Sequence, residues 1–221
     1  MTKHRQGRNR KSAKKKLEFD HRLVLTNWML SLFGVATFQG LGKHMYDPAS
    51  EGFNEDGISR FHQCLKLLFD RPELPNDILL AYDGNIVRHW KRITSRRNAD
   101  GQNLYPKYFQ YLCLLFTEIY LDRYFRDPEK LLSDLNAYAK RFNEGSTPQQ
   151  NSLGQLFATG LPRDAQIKPY KPMDLKKLAF WSATGSGKTL LMRLNRNWCD
   201  TKPRQPESVW SIKSICYANH C

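Results

Sequence analysis

Residues 177–189 have the sequence KLAFWSATGSGKT, and this stretch decides which fold the second half of the chain carries. Its first five residues include the short apolar run LAFW, which is typical of a buried parallel strand. Gly185 and Gly187 follow this run, and the apolar residues 190–192 can start a helix. A strand, a glycine-rich loop and a helix in this order form the arrangement that holds nucleotide phosphates. We therefore predict one phosphate-binding loop.

The loop residues have distinct expected roles. The backbone N–H groups from Gly185 to Thr189 would point inward at phosphate oxygens. Lys188 would neutralise the β and γ phosphates, and the Thr189 hydroxyl would coordinate magnesium. The predicted cofactors are ATP and Mg²⁺, and the predicted nucleotide-binding residues are Thr184, Gly185, Ser186, Gly187, Lys188 and Thr189.

Helical periodicity dominates the chain before this loop. Residues 21–145 predict a helical N-terminal domain, in which residues 105–125 are apolar nearly all round and suit a central helix. Asp127 is placed to cap the next helix, with Pro128 at its first position and Gly145 at its end. The uncharged stretch 23–42 predicts a buried helix. A membrane-spanning segment is its alternative, because about 20 apolar residues suffice to cross a bilayer.

The charge is strongly positive and unevenly distributed. The net charge of +14 favours a polyanionic partner, since neutralised phosphates release counterions. Eight of the first sixteen residues are Lys or Arg, and residues 1–20 predict a basic disordered tail that either contacts such a partner or is merely solvated. A second group repeats along a predicted helix and gives the candidate nucleic-acid contacts Arg88, Lys91, Arg92 and Arg96. A solvated helix face is the plainer interpretation of this group.

The five cysteines do not indicate a disulfide framework, since their number is odd and no pair has the C-x-x-C spacing. We therefore predict a reducing, cytoplasmic environment. Cys64 and Cys113 lie in apolar helical patterns and should pack as small hydrophobic side chains. A zinc site built from Cys199, Cys216, His220 and Cys221 matches known ligand spacings poorly.

The sequence ATGSGKT (183–189) resembles motif I of superfamily 2 helicases and translocases. Ser182 occupies the position at which the more familiar phosphate loop has glycine. The resemblance extends over about residues 20–192, to a bacterial DEAD/DEAH-box helicase family related to the Res subunit of type III restriction enzymes. It rests on the phrases NWMLSLFG (27–34), DGISRF (56–61), NIVRHW (85–90), KYFQY (107–111), EIYLDRYF (118–125) and LAFWS (178–182). It implies ATP-driven translocation on DNA, two RecA-like domains, and a methyltransferase subunit as a partner.

The expected fold is mainly α, with a helical N-terminal domain followed by the first strand and phosphate loop of an incomplete α/β RecA-like domain. We expect a linker at 146–172, the start of the RecA-like domain at 173–193, and an aberrant tail at 194–221 that a frameshift or truncation would explain. Only Asp200 and Glu207 supply carboxylates after Thr189, and hydrolysis needs an adjacent acidic pair and a second domain. We identify no complete catalytic set.

The expected function is therefore that of a truncated N-terminal part of an ATP-dependent DNA helicase or translocase of restriction type. The chain would bind ATP by descent without being catalytically competent alone. The alternative is a basic, non-catalytic helical module that binds DNA or protein and keeps a remnant phosphate loop.

Overall fold

The computed structural model describes residues 23–69, 71–101, 103–145, 166–182, 186–187, 189–191 and, for the backbone, 211–216. These residues are mainly helical, as the sequence predicts. The helices are α1 (Val24–Leu32), α2 (Phe38–Gly42), α3 (Arg60–Leu68), α4 (Asn76–Ala99), α5 (Tyr108–Arg126) and α6 (Pro128–Asn143), and the strands are β1 (Lys177–Ser182) and β2 (Ser211–Cys216). The predicted basic tail 1–20 lies outside the described residues.

The stretch 23–42 forms two short helices, and this corrects the prediction of one buried helix. Helix α1 ends at Leu32. Gly34 follows with a φ of +69°, a left-handed conformation that ends helices and that glycine adopts more readily than other residues. Helix α2 starts anew at Thr37, whose side chain accepts a hydrogen bond from the Gly40 N–H at 3.0 Å. Within the described residues, no helix is long and apolar enough to cross a membrane.

The core lies around α5, which packs against both α4 and α6, while α1 covers α6 and α3 covers α4. Buried side chains occur on all sides of α5, as its continuous apolar pattern predicts. Cys113 on this helix is a free thiol whose pKa is raised to about 12 by burial, so it acts as a small hydrophobic residue. Of the four zinc-site candidates, Cys199, His220 and Cys221 lie outside the described residues, and Cys216 is described only by its backbone in β2.

The boundary between α5 and α6 follows the predicted capping chemistry. The Asp127 carboxylate accepts a hydrogen bond from the Lys130 N–H at 2.9 Å, and Pro128 occupies the first helical position. Gly145 follows the end of α6 with a φ of +78°. These local signals place the helix at Pro128–Asn143 and confirm the prediction for both ends.

The last part of the predicted linker 146–172, residues 166–172, packs onto α6. Asn143 forms two hydrogen bonds with the backbone of Ile167, of 2.9 and 2.8 Å, and Asn136 forms two with the backbone of Tyr170. A 3-10 turn at Pro172–Lys176 then leads into β1, and its Leu175 carbonyl accepts a hydrogen bond from the Tyr120 hydroxyl at 2.8 Å. The rest of the predicted linker, residues 146–165, lies outside the described residues.

Strand β1 is parallel to β2, with Lys177 opposite Ser211 and Ser182 opposite Cys216. The strand predicted before the loop is therefore present, and a second strand from the segment 194–221 adds to it. A parallel pair requires a crossover connection, which here consists of residues 183–210. Leu175, Leu178 and Leu191 join the same buried cluster as the helices, so β1 is anchored to the helical domain.

Candidate phosphate loop and its surroundings

The predicted loop lies directly after β1, at the carboxyl end of that strand. This is the end of a parallel strand at which ligands bind in open α/β sheets. Ser186, Gly187 and Thr189 are described, whereas Thr184, Gly185 and Lys188 lie outside the described residues. The site can therefore be built from three of its six predicted residues.

Gly187 has a φ of +82°, a backbone conformation that glycine adopts without strain. Its carbonyl accepts hydrogen bonds from the N–H groups of Leu190 and Leu191, at 2.9 and 3.1 Å. Residues 189–191 are helical and follow Gly187 closely along the chain. Strand, left-handed glycine and helix start thus follow one another in the predicted order.

Ser186 and Thr189 have different environments. The Ser186 hydroxyl oxygen is shielded from solvent and has no hydrogen-bond partner among the described residues. Thr189 is exposed at the start of the helical turn. An exposed hydroxyl at this position can reach a metal ion held on a bound phosphate, which is the role the sequence predicts for it.

The helical domain contacts the loop through Gln110, a residue that the sequence analysis does not single out as functional. Its side-chain amide donates a hydrogen bond to the Ser186 carbonyl at 3.0 Å. Its carbonyl oxygen accepts the Lys107 N–H at 2.9 Å and so caps α5. The phrase KYFQY (107–111) contains Gln110, but a glutamine in the first turn of a helix is an ordinary cap and gives no sign of a second contact 76 residues away.

The predicted nucleic-acid contacts form one basic stripe on α4. Arg88, Lys91, Arg92 and Arg96 are all exposed, and none forms an ion pair with a carboxylate of the described residues. Arg92 and Arg88 lie close enough to His89 to lower its pKa further, although burial is the larger cause. The Lys91 ammonium lies 5.2 Å from the centre of the Phe53 ring. The stripe is therefore a positively charged surface without neutralising acids.

A buried polar cluster connects α3, α4 and α5. The Asp83 carboxylate accepts hydrogen bonds from the Tyr111 hydroxyl at 2.7 Å and the Ser59 N–H at 3.0 Å. Burial raises the pKa of Asp83 and lowers that of the neighbouring His62. Both side chains are buried, and their contacts join residues of three packed helices.

A cavity of about 760 Å³ lies between α1, the end of α5 and the start of α6, and none of its lining residues belongs to the phosphate loop. Its lining is charged, but the charges are largely paired with one another. Arg126 pairs with Asp122 at 3.0 Å, and Lys130 pairs with Asp134 at 3.4 Å. Arg123 lies over the Trp28 ring and 4.0 Å from Asp134. These contacts are those of a packed surface between helices.

No three or more side chains from His, Cys, Asp and Glu are grouped as metal ligands within the described part of the chain. The predicted magnesium contact is a single hydroxyl beside phosphate oxygens, which is a different kind of site. Comparison with known proteins finds no protein-family model, no curated protein and no solved structure that matches this chain.

Proposed function

We propose that this chain binds Mg²⁺-ATP through residues 183–189 and corresponds to the N-terminal, ATP-binding part of a DNA helicase or translocase of restriction type. The observation that carries the proposal is the order of three described parts: β1, then Gly187 at positive φ, then the helical residues 189–191. This continuity supports phosphate binding because N–H groups at a helix start and a left-handed glycine form a concave anion site. The assignment to helicases rests on the sequence of residues 183–189, which resembles motif I, and on the other segments that resemble the helicase family.

The proposal is limited to binding. Phosphoryl transfer to water needs a carboxylate that positions magnesium and the nucleophile, and a cation that stabilises charge in the transition state. The 32 residues after Thr189 contain Asp200 and Glu207, which are not adjacent. We therefore expect the 221 residues to bind ATP with very slow or no hydrolysis.

Equilibrium titration with ATP tests the proposal, with and without magnesium. Lys188→Ala should abolish saturable, magnesium-dependent binding, because the lysine supplies the charge that opposes the β and γ phosphates. Lys177→Ala is the matched control: it removes one exposed lysine from the start of β1 and should leave affinity unchanged. Equal affinity for wild type and Lys188→Ala would contradict the proposal.

The α4 stripe supports a second candidate function, a basic helical module that binds DNA. Four exposed cations on one helix, none of them paired with a carboxylate in the described part of the chain, favour contacts to a phosphate backbone. Anisotropy of a labelled DNA duplex should show binding that weakens as salt rises. The fourfold variant Arg88→Gln, Lys91→Gln, Arg92→Gln, Arg96→Gln should reduce the slope of log affinity against log salt by about 3 to 4.

The two candidates predict different results with both ligands present. Nucleotide-dependent DNA affinity supports the helicase-derived function. Salt-dependent DNA binding that is insensitive to ATP supports the helical module. Absence of binding to either ligand contradicts both.

A further inference from the structure

We infer that Gln110, on α5 of the helical domain, is a positioning residue that holds the Ser186–Gly187 turn of the proposed phosphate loop in the orientation that nucleotide binding needs. The inference rests on the proposed function, since it assigns a role at the same site. Gln110 lies in α5, outside the phosphate-loop motif of residues 183–189.

The geometry fixes the orientation of the Gln110 amide. The Lys107 N–H can only donate, so the amide atom that it contacts at 2.9 Å must be the carbonyl oxygen. The NH₂ group then faces the Ser186 carbonyl at 3.0 Å, where it must donate. One side chain therefore ties the first turn of α5 to the loop with both of its polar ends in use.

The contact also limits the shape that the loop can take. A Cβ atom placed on Gly187 would lie 2.6 Å from Gln110 Nε2, well inside van der Waals contact. Gln110 therefore packs directly against the residue whose positive φ turns the loop. Since the Ser186 carbonyl is held toward α5, the peptide plane between Ser186 and Gly187 has a fixed orientation. The direction of the Gly187 N–H is thereby set.

Phosphate binding depends on where such N–H groups point. A loop whose peptide planes are already oriented loses less conformational entropy on binding than one that must be ordered by the ligand. Gln110 thus contributes to nucleotide affinity without touching the nucleotide. Through this side chain the helical domain contributes to the proposed binding site.

Two substitutions separate the roles of Gln110. Gln110→Glu keeps an acceptor for the Lys107 N–H, because Glu is a good capping residue at this position, and removes the donor to Ser186. Gln110→Ala removes the donor without adding a charge. Loss of the donor is the only change that the two variants share. Gln63→Glu, on the exposed face of α3, is the control for a new negative charge.

Hydrogen–deuterium exchange of nucleotide-free protein gives the readout that does not depend on ATP. Both Gln110 variants should speed exchange of the Leu190 and Leu191 amides, which donate to the Gly187 carbonyl, while Gln63→Glu does not. Both should also weaken Mg²⁺-ATP binding by about three- to tenfold, the range expected for one hydrogen bond. In Gln110→Glu, exchange of the α5 amides should match wild type.

Unchanged exchange at Leu190 and Leu191 in both variants would overturn the inference. Faster exchange with unaltered nucleotide affinity in both would also overturn it, because Gln110 would then hold the loop without positioning it for ATP. If wild type itself binds no nucleotide, the proposed function fails, and the exchange result still decides whether Gln110 holds the loop.

Discussion

The side-chain amide of Asn136 pairs with the backbone of Tyr170 through two hydrogen bonds, one of 3.1 Å to the carbonyl oxygen and one of 2.7 Å from the N–H. An asparagine amide presents a donor and an acceptor side by side, as a neighbouring strand would. Asn143 does the same for Ile167, two helical turns further along α6. The extended segment before β1 is therefore fixed to the helical domain at two points.

Asn136→Ala should weaken this attachment. It leaves both polar groups of the half-buried Tyr170 backbone without their partner, which costs about 1–3 kcal/mol. Urea unfolding of the variant should show this loss. Asn103→Ala, at an exposed position before α5, is the control and should change stability by less than about 0.5 kcal/mol. Equal unfolding midpoints for Asn136→Ala and wild type would show that the paired hydrogen bonds contribute nothing.

Tyr111→Phe should destabilise the helical domain by about 1–3 kcal/mol, because it leaves one buried oxygen of Asp83 without a donor. Tyr108→Phe removes a hydroxyl from the same helix at a half-buried position and is the matched control. Thermal unfolding followed by circular dichroism measures both. A loss as large in Tyr108→Phe as in Tyr111→Phe would show that the contact with Asp83 is not responsible.

Stability should fall as the pH drops below about 6.5, the ordinary pKa of histidine. Burial lowers the pKa of His62 and His89 in the folded chain, so the unfolded chain binds protons that the folded chain resists. A buried neutral histidine does not reduce the free energy of unfolding while the pH is above the histidine's pKa in the unfolded chain. As the pH falls below that value, each such histidine lowers the free energy of unfolding by up to about 1.4 kcal/mol per pH unit. His62→Leu should make the slope of unfolding free energy against pH shallower. The same slope in His62→Leu and wild type would contradict a contribution of His62 to the loss of stability at low pH.

Substitution by alanine should be harmful at Gly187 in the loop and stabilising at Gly84 in α4. Gly187→Ala places a side chain at a φ of +82° and against Gln110, so it should abolish nucleotide binding. Gly84 lies within α4 with open space around it, and Gly84→Ala should stabilise the protein by about 0.5–1 kcal/mol. Nucleotide titration and thermal unfolding of both variants check this pair. Wild-type affinity in Gly187→Ala would mean that the loop does not need this turn.

The sequence predicted those parts of the fold that depend on neighbours along the chain. The two ends of α6 depend only on nearby residues. Asp127 and Pro128 determine where the helix starts and Gly145 where it ends, so residue type alone locates both ends. The continuous apolar pattern of α5 likewise required no tertiary information. The prediction of one helix over 23–42 was wrong, because Gly34 adopts a positive φ between the end of α1 and the start of α2.

The contacts that position the site could not be predicted in this way. Asn136, Asn143 and Gln110 each bond backbone groups that lie 24 to 76 residues away. Any polar side chain can make such a bond, so residue type does not identify the partner. The phosphate loop stays a prediction, and it could be made because phosphate binding requires particular residue types at fixed spacing. The residues that hold it in place obey no such spacing.

The most direct test of the account is hydrogen–deuterium exchange of residues 177–191, measured with and without saturating Mg²⁺-ATP. We predict slower exchange of the amides from Gly185 to Leu191 in the presence of nucleotide, and no such change in Lys188→Ala. The same exchange rates with and without Mg²⁺-ATP in wild type would contradict nucleotide binding at this loop.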